Sequence, residues 1–394
     1  MDESVESLLS TARKAGFRAM AVVPYTAFTA WGDNVRKRPG YDSFKSLPGN
    51  EDARTSLPEA KSIVMGVWDY SAVPVPPSYR GRVARLYLSR SDLPDYGGQP
   101  ATQVMEGFFG HLGWRFTRRV PRRETAVAAG LLVQRRNCLG FLPGGHSFVA
   151  LFAWAVEAEL KPWRAWFDGG AAGAGPAVGE PLDFVYPPER RDPCGDCRLC
   201  LDACPTGALV APFTVDPRRC IDRNNSLSGE AVPRDIRSRL GGWVYGCDAC
   251  QEACPHNRRV VRAGSGGGDP AAATEGFTWP DLSLEGLSAV TAEEYEAVWS
   301  SLFVFNSDRD DLRRNAIIAL GNLGDRAAEP SLRAALADPG PIIRGHAAWA
   351  LGRLATPSAR EALRTALAIE ADATAREEMT LALADEGRSA TIHD

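Results

Sequence analysis

Cys194-Gly-Asp-Cys197-Arg-Leu-Cys200-Leu-Asp-Ala-Cys204-Pro205 is the stretch on which the reading of this chain turns. A shortened second run follows, Tyr245-Gly-Cys247-Asp-Ala-Cys250-Gln-Glu-Ala-Cys254-Pro255, and Cys220 stands alone between the two. The first run has the C-x2-C-x2-C-x3-C-P spacing of two-cluster iron–sulfur modules, in which the fourth cysteine ligates the other cluster. That rule gives Cys194, Cys197, Cys200 and Cys254 to one [4Fe–4S] cluster. It gives Cys204, Cys220, Cys247 and Cys250 to a second, with Cys220 standing in for the cysteine that the short run lacks. Structural zinc also uses paired C-x2-C units, but it leaves the third cysteine, the fourth at x3 and the proline after each final cysteine unexplained. Disulfides would suit a secreted chain. The ninth cysteine, Cys138, lies alone in an apolar stretch and reads as a small buried hydrophobe.

The bulk properties fit such a module inside a larger protein. A chain of 394 residues, 44% of them hydrophobic, is long enough for two or three packed domains. No run approaches the roughly 20 apolar residues of a membrane-spanning helix. The acidic, amphipathic start MDESVESLLSTARKAGF lacks the basic and apolar regions of a secretory signal. These features lead us to expect a cytoplasmic monomer without a membrane partner. A net charge of −4 carries no global signature of a nucleic-acid binder.

Four regions follow along the chain. Residues 1–185 read as an α/β domain. They hold an opening amphipathic helix (Val5, Leu8, Leu9, Ala12) and strand-like apolar runs at Met20–Pro24 and Ser62–Trp68. Helices are expected at about 100–113 and 123–135, and Phe148–Trp154 is an apolar run of either type. A Gly/Ala-rich loop covers 168–180. The cluster module spans 186–265, and a Gly-rich linker and connecting segment spans 266–305. From 306 to 388 the text repeats. Asp311-Leu-Arg-Arg-Asn-Ala-Ile-Ile-Ala-Leu-Gly-Asn-Leu-Gly324 is echoed by Ile343-Arg-Gly-His-Ala-Ala-Trp-Ala-Leu-Gly-Arg-Leu354, with amphipathic helices between and after. A period of about 30 residues with this pattern is that of HEAT-type helical pairs. Such a surface binds a macromolecule, or else caps the cluster region. The arginines at 115, 118, 119, 122, 123, 135 and 136 are the densest basic stretch. They read either as a solvated face with ion pairs or as a mouth for a carboxylate, a phosphate or a tRNA backbone. His146, in a loop, reads as a structural residue.

The order of these parts, with Tyr245-Gly246-Cys247-Asp248-x-Cys250-Gln251-x-x-Cys254-Pro255-x-Asn257, Cys204-Pro205-Thr206-Gly207-Ala208, Val215-Asp216-Pro217-Arg218-Arg219-Cys220-Ile221 and Gly81-Arg82-Val83-Ala84-Arg85, resembles the epoxyqueuosine reductase family. The resemblance covers nearly the whole chain. It implies a cobalamin-binding catalytic domain of reductive-dehalogenase or nitroreductase type, an inserted ferredoxin-like module with two [4Fe–4S] clusters, and a HEAT-repeat domain. It also implies reduction of an epoxide on a hypermodified tRNA nucleoside, with electrons from an external reductant such as ferredoxin or flavodoxin. By family position, Tyr87, Gly130, Arg135, Arg136, Tyr245, Gly246, Asp248 and Gln251 would lie on the cobalamin side, and Arg122 and Arg123 would meet substrate.

The chain also departs from the family text. Phe116 stands where a proton-supplying carboxylate is expected. Leu132 and Arg135 replace glycines, Arg136 replaces a lysine, and Ile221-Asp-Arg-Asn-Asn225 replaces Ile-Ser-Tyr-Leu-Thr. Asp92, Asp95, Glu124 and Asp222 are the acids nearest by motif, and Glu106 is a further one. Kept cluster ligands beside an altered pocket suggest a paralogue. It would use Co(I) as a nucleophile on the electrophilic carbon of another substrate (an epoxide, sulfonium or halide), a small molecule rather than tRNA. Two readings stand beside it: a genuine tRNA epoxyqueuosine reductase, and an electron-transfer protein without catalysis of its own.

Overall fold

Both β-branched apolar runs are central strands of one sheet. In the computed structural model, which describes residues 3–41, 51–88, 99–167, 192–226, 229–265, 280, 282–300 and 308–384, β1 (Ala19–Pro24) pairs with β2 (Ser62–Asp69) from Ala19↔Val67 to Pro24↔Ser62. The further strands are β3 (Phe116–Thr117), β4 (Val133–Gln134), β5 (Gly140–Phe141), β6 (Val149–Val156) and β7 (Trp163–Trp166). The ambiguous run at Phe148–Trp154 is therefore a strand. The sheet order is β3-β6-β2-β1-β7, and every pairing in it is antiparallel. The layout is thus α+β rather than the expected α/β. A continuous apolar run reports burial of both faces and says nothing of strand direction.

The chain divides into two compact units. One comprises Met1–Pro74, Ser89–Cys220 and Ala249–Gly268; the other comprises Val75–Leu88, Ile221–Asp248 and Asp269–Asp394. In the first, one sheet face (Ala21, Val23, Ile63, Met65, Ala153) packs against Trp31, Leu57, Val120 and Ala126. The other face carries Phe17 against Phe152 and Phe109 against Trp154, with ring centroids 5.9 and 5.6 Å apart. The backbone of Gly66 in β2 makes room for Phe17, whose ring lies 2.5 Å from where a Cβ would sit.

The helices of this unit include α1 (Glu3–Lys14), α2 (Thr29–Arg36), α3 (Gln99–His111) and α4 (Arg122–Ala128). Helix α4 stops well short of the expected residue 135. Gly130, at φ +67°, and Leu131 return their N–H groups to Val127 O (3.0 Å) and Ala126 O (2.9 Å), a Schellman close. The chain then turns into the β4–β5 hairpin, which bends at Cys138 with φ +65°.

In the second unit the repeats form α5 (Arg309–Leu323), α6 (Glu329–Ala335), α7 (Pro341–Leu354), α8 (Pro357–Ile369) and α9 (Ala373–Ala384). The echoed Ala-Leu-Gly has a packing cause. A Cβ on Gly321 would lie 2.8 Å from Ala350 Cβ, and one on Gly352 would lie 2.9 Å from Ala382 Cβ. These two glycines let α5, α7 and α9 approach closely. Asp308 caps α5 through Asp310 N, and Thr356 caps α8 through Ala359 N. Among the described residues no helix is long and apolar enough to cross a membrane. The loop at 168–180, the linker residues 266–279, and Asp92 and Asp95 lie outside the described residues.

Candidate functional site

The short helix Leu199–Asp202 carries Cys200 inward between Cys197 and Cys204, and Ala249–Glu252 does the same for the approach to Cys254. Burial pushes the Cys200 thiol up to about 11, and Cys254, Cys194 and Cys197 add to the rise. The other three thiols assigned to the first cluster thus each act on Cys200. Burial also raises Cys254. Such thiols keep their protons until iron displaces them. The donor set fits a cubane. Its thiol-only chemistry, in C-x2-C runs each closed by Cys-Pro, is that of a four-iron cube.

Of the second set, Cys204 and Cys250 share an apolar cluster with Cys138, Cys200, Leu201 and Leu209. Ala208 N donates to Cys204 Sγ at 3.2 Å. Cys220 closes its segment of the first unit, while Cys247 belongs to the second unit. The nine cysteines form no disulfide.

The β4–β5 hairpin lies against the cysteine runs. Arg135 Nη1 points at Cys194 Sγ (3.8 Å) and Pro193 O (3.4 Å). Arg136 pairs with Asp192 (2.6 Å) and donates to Cys197 O (3.1 Å), while Asp192 accepts from Cys194 N (2.9 Å). Asn137 Nδ2 donates to Cys250 O (3.3 Å). The two arginines expected on the corrin side thus make their contacts with the first cysteine run, because the hairpin replaces the helix expected there. Gln251, nominated with them, donates to Ser147 O and Oγ (both 3.0 Å). Asn257 ties Ser147 N (2.9 Å) and Oγ (2.8 Å) to Gln251 O (2.7 Å). This buried network anchors the second run to Ser147, two residues before β6. Gly130 serves as the α4 terminator.

The other nominated residues lie in the second unit. Tyr87 stacks edge-on to Tyr245 at 4.6 Å. Gly246, at φ +68°, is clamped by Asn225 through both its N–H and its C=O (2.9 Å each), and a Cβ there would meet Tyr87 at 2.4 Å. Asp248 accepts from Arg85 N (2.7 Å). A backbone fixed in this way is rigid. Tyr87 also donates to Asp222 (2.8 Å); burial lifts that carboxyl above its ordinary range and the tyrosine holds it back.

The remaining nominated side chains are mostly engaged elsewhere. Buried Glu124 pairs with Arg123, whose Nη1 donates to Cys138 O (2.6 Å). Arg123 is therefore committed to the hairpin, while Arg122 is exposed. Arg115 pairs with Glu157 and Glu59, and Arg118 pairs with Glu106, as expected of an ion-paired surface. Phe116 sits in β3, packed on Phe109 at 5.7 Å. Asp69 is held low by His146, at 3.4 Å, against the opposing effect of its own burial.

Sequence reasoning missed what the repeats grip. Arg314 donates to Asn224 O (3.2 Å) and pairs with Asp311 (2.8 Å), and Asn315 donates to Asn225 O and Val244 O (2.7 Å each). Asn322 donates to Arg237 O (2.9 Å) and Gly241 O (3.0 Å), and Glu378 takes Arg237 (2.7 Å) and Arg234. The only signal in the text was an Arg-Arg-Asn triplet on an otherwise apolar helix.

Residues 193–257 match the family described as a 4Fe-4S double cluster binding domain, and residues 302–384 match HEAT repeats. The epoxyqueuosine reductase of Gloeobacter violaceus is 37% identical over 292 residues, covering 72% of this chain and 83% of the relative. That of Bacillus subtilis is 36% identical over 261 residues, covering 65% of this chain and 59% of the relative. With several other relatives the match spans about half of their length, as with the 54% for Bacillus cereus. Two solved structures match nearly end to end. An epoxyqueuosine reductase with an epoxyqueuosine-modified tRNA-Tyr stem loop gives a TM-score of 0.74 at 27% identity, covering 96% of this chain and 98% of that one. The Bacillus subtilis epoxyqueuosine reductase gives 0.76 at 26% identity with the same coverage. On the cysteine geometry, the repeats and these likenesses together, the chain belongs to the epoxyqueuosine reductase family.

Proposed function

We infer that the chain is an oxidoreductase of the epoxyqueuosine reductase type that carries two [4Fe–4S] clusters and a corrinoid. It would pass electrons from an external donor such as ferredoxin or flavodoxin to an electrophilic carbon. The observation that carries this reading is the match of residues 193–257 to the 4Fe-4S double cluster binding domain, with Cys194, Cys197 and Cys254 acting on the buried Cys200 thiol. Cys204, Cys220, Cys247 and Cys250 are proposed to hold the second cluster. When bound, a corrinoid in its Co(I) state supplies a soft nucleophile, and the clusters supply single electrons. The chain's own part is to fix the Tyr245–Asp248 backbone through Asn225, Arg85 and Tyr87 and to seat the cysteine runs through the hairpin and the Gln251–Asn257 network.

The substrate is proposed to be a small molecule other than the tRNA epoxide. Opening an epoxide needs a proton for the alkoxide. The family's expected carboxylate position is Phe116 here, set in an aromatic cluster. A sulfonium or halide leaving group needs no such donor. A second reading, a genuine tRNA epoxyqueuosine reductase, is favoured by the end-to-end likeness to the stem-loop complex.

One experiment covers both readings. The protein is reconstituted anaerobically with iron, sulfide and cobalamin. Turnover is then compared on S-adenosylmethionine, alkyl halides, simple epoxides and an epoxyqueuosine stem loop. Turnover confined to the stem loop selects the second reading. Failure to take up cobalamin, or uptake of fewer than two clusters, removes both.

A further inference from the structure

Among the arginines of the hairpin, Arg135 is unlike its neighbour. Arg136 is neutralised by Asp192. Arg135 is only 8% exposed, forms no ion pair among the described residues, and keeps its Nε buried without a hydrogen-bond partner. Its guanidinium lies over the Phe141 ring at 5.1 Å, with Nη1 3.8 Å from Cys194 Sγ. It is also within electrostatic reach of Cys254. A buried guanidinium stays charged and is poorly screened. The sulfurs that face it, those of Cys194 and Cys254, belong to the first cluster's proposed ligand set and become thiolates once iron is bound.

We propose that Arg135 is a positioning residue that raises the reduction potential of the cluster held by Cys194, Cys197, Cys200 and Cys254. This rests on the two-cluster reading above. One-electron reduction adds a negative charge to an already anionic cluster. A fixed cation and an N–H···S contact stabilise the reduced form more than the oxidised one, so the potential rises. The electron comes from the external reductant and the protein takes up no proton in the step. Arg135 stands where the resembled family text has glycine.

The test is an anaerobic redox titration of the full reconstituted chain, followed by electron paramagnetic resonance. Wild type is compared with Arg135→Met and Arg135→Lys. In Arg135→Met one of two midpoints should fall enough to change the reduced-to-oxidised ratio at least tenfold, about 59 mV for one electron, while the other stays. Arg135→Lys should recover most of the shift. A methionine variant that loses one cluster's iron while the lysine variant keeps it also supports the charge role. Unchanged midpoints, equal shifts of both, or a lysine variant no better than methionine overturn the inference and leave the two-cluster reading intact. A wild-type protein that binds no cluster overturns both.

Discussion

The β4–β5 hairpin and helix α5 do comparable work by different physics. Each reaches into a cysteine-bearing segment of its own unit through consecutive polar residues, Arg135-Arg136-Asn137 in one and Arg314-Asn315 in the other. The hairpin works close to sulfur with charge, and among the described residues one of its arginines has no carboxylate partner. Helix α5 works on backbone carbonyls, and its donors Arg314 and Asn315, 1% and 0% exposed, find acceptors there. Charge beside an anionic cluster alters what the cluster does, whereas satisfied amides alter how firmly the segment stands. The repeats' most distinctive polar residues are thus spent inside the chain, which favours the capping role over an open docking face for this part of them.

That contrast can be broken at four places. Removing a ligand comes first. Cys254→Ala should cost one whole cluster, seen as roughly half the iron and acid-labile sulfide by chemical assay, with the fold of α5–α9 kept by circular dichroism. Asn315→Leu should follow. It leaves the carbonyls of Asn225 and Val244 and a buried guanidinium short of partners, for a loss of about 3 kcal/mol in urea unfolding. Cluster midpoints should stay where they were; a shift in them would erase the distinction drawn above.

The third place is His346, buried in α7. It donates from Nδ1 to Ile342 O (2.7 Å) and accepts from Val232 N (3.3 Å). Burial, followed by the nearby charges of Arg237 and Arg314, drives its protonation well below the ordinary range. The unfolded chain takes up that proton near pH 6.5. Stability should therefore be flat above that pH and fall as pH drops below it, by at most about 1.4 kcal/mol per pH unit. His346→Gln should be weaker at neutral pH but should lose this slope. An unchanged slope would move the acid sensitivity elsewhere. The smallest effect is expected at Arg136→Gln, where the half-buried Asp192 pair still meets solvent. The unfolding midpoint should move least of the set, and only at low salt.

Spacing made the iron–sulfur module legible, since its pattern is written locally in C-x2-C runs. The repeats were legible for the same reason: the glycines that let α5, α7 and α9 approach recur at matching positions. What stayed hidden depends on distant partners. Asn315 looks like a flaw in an apolar helix until Asn225 and Val244, far back in the chain, supply its acceptors. Arg135 and Arg136 looked like a pocket because they extend what reads as one long helix. A left-handed glycine at 130 ends that helix and turns both arginines onto the cysteines. The antiparallel sense of the sheet was equally invisible, because β1 and β2 would read the same in either direction.

The division of the chain has a consequence for its synthesis. The polypeptide passes from one compact unit to the other at 74/75, 88/89, 220/221, 248/249 and 268/269. Neither unit is an uninterrupted stretch of the gene product. A ribosome must therefore extend the nascent chain past residue 248 before the first unit has its last segment. The Ile221–Asp248 stretch must wait for α5 before its carbonyls find their donors. Every cysteine is synthesised by residue 254, so a stop codon ahead of the repeats would leave the whole set in place while the carbonyls of Asn225 and Val244 lose the donors that α5 brings.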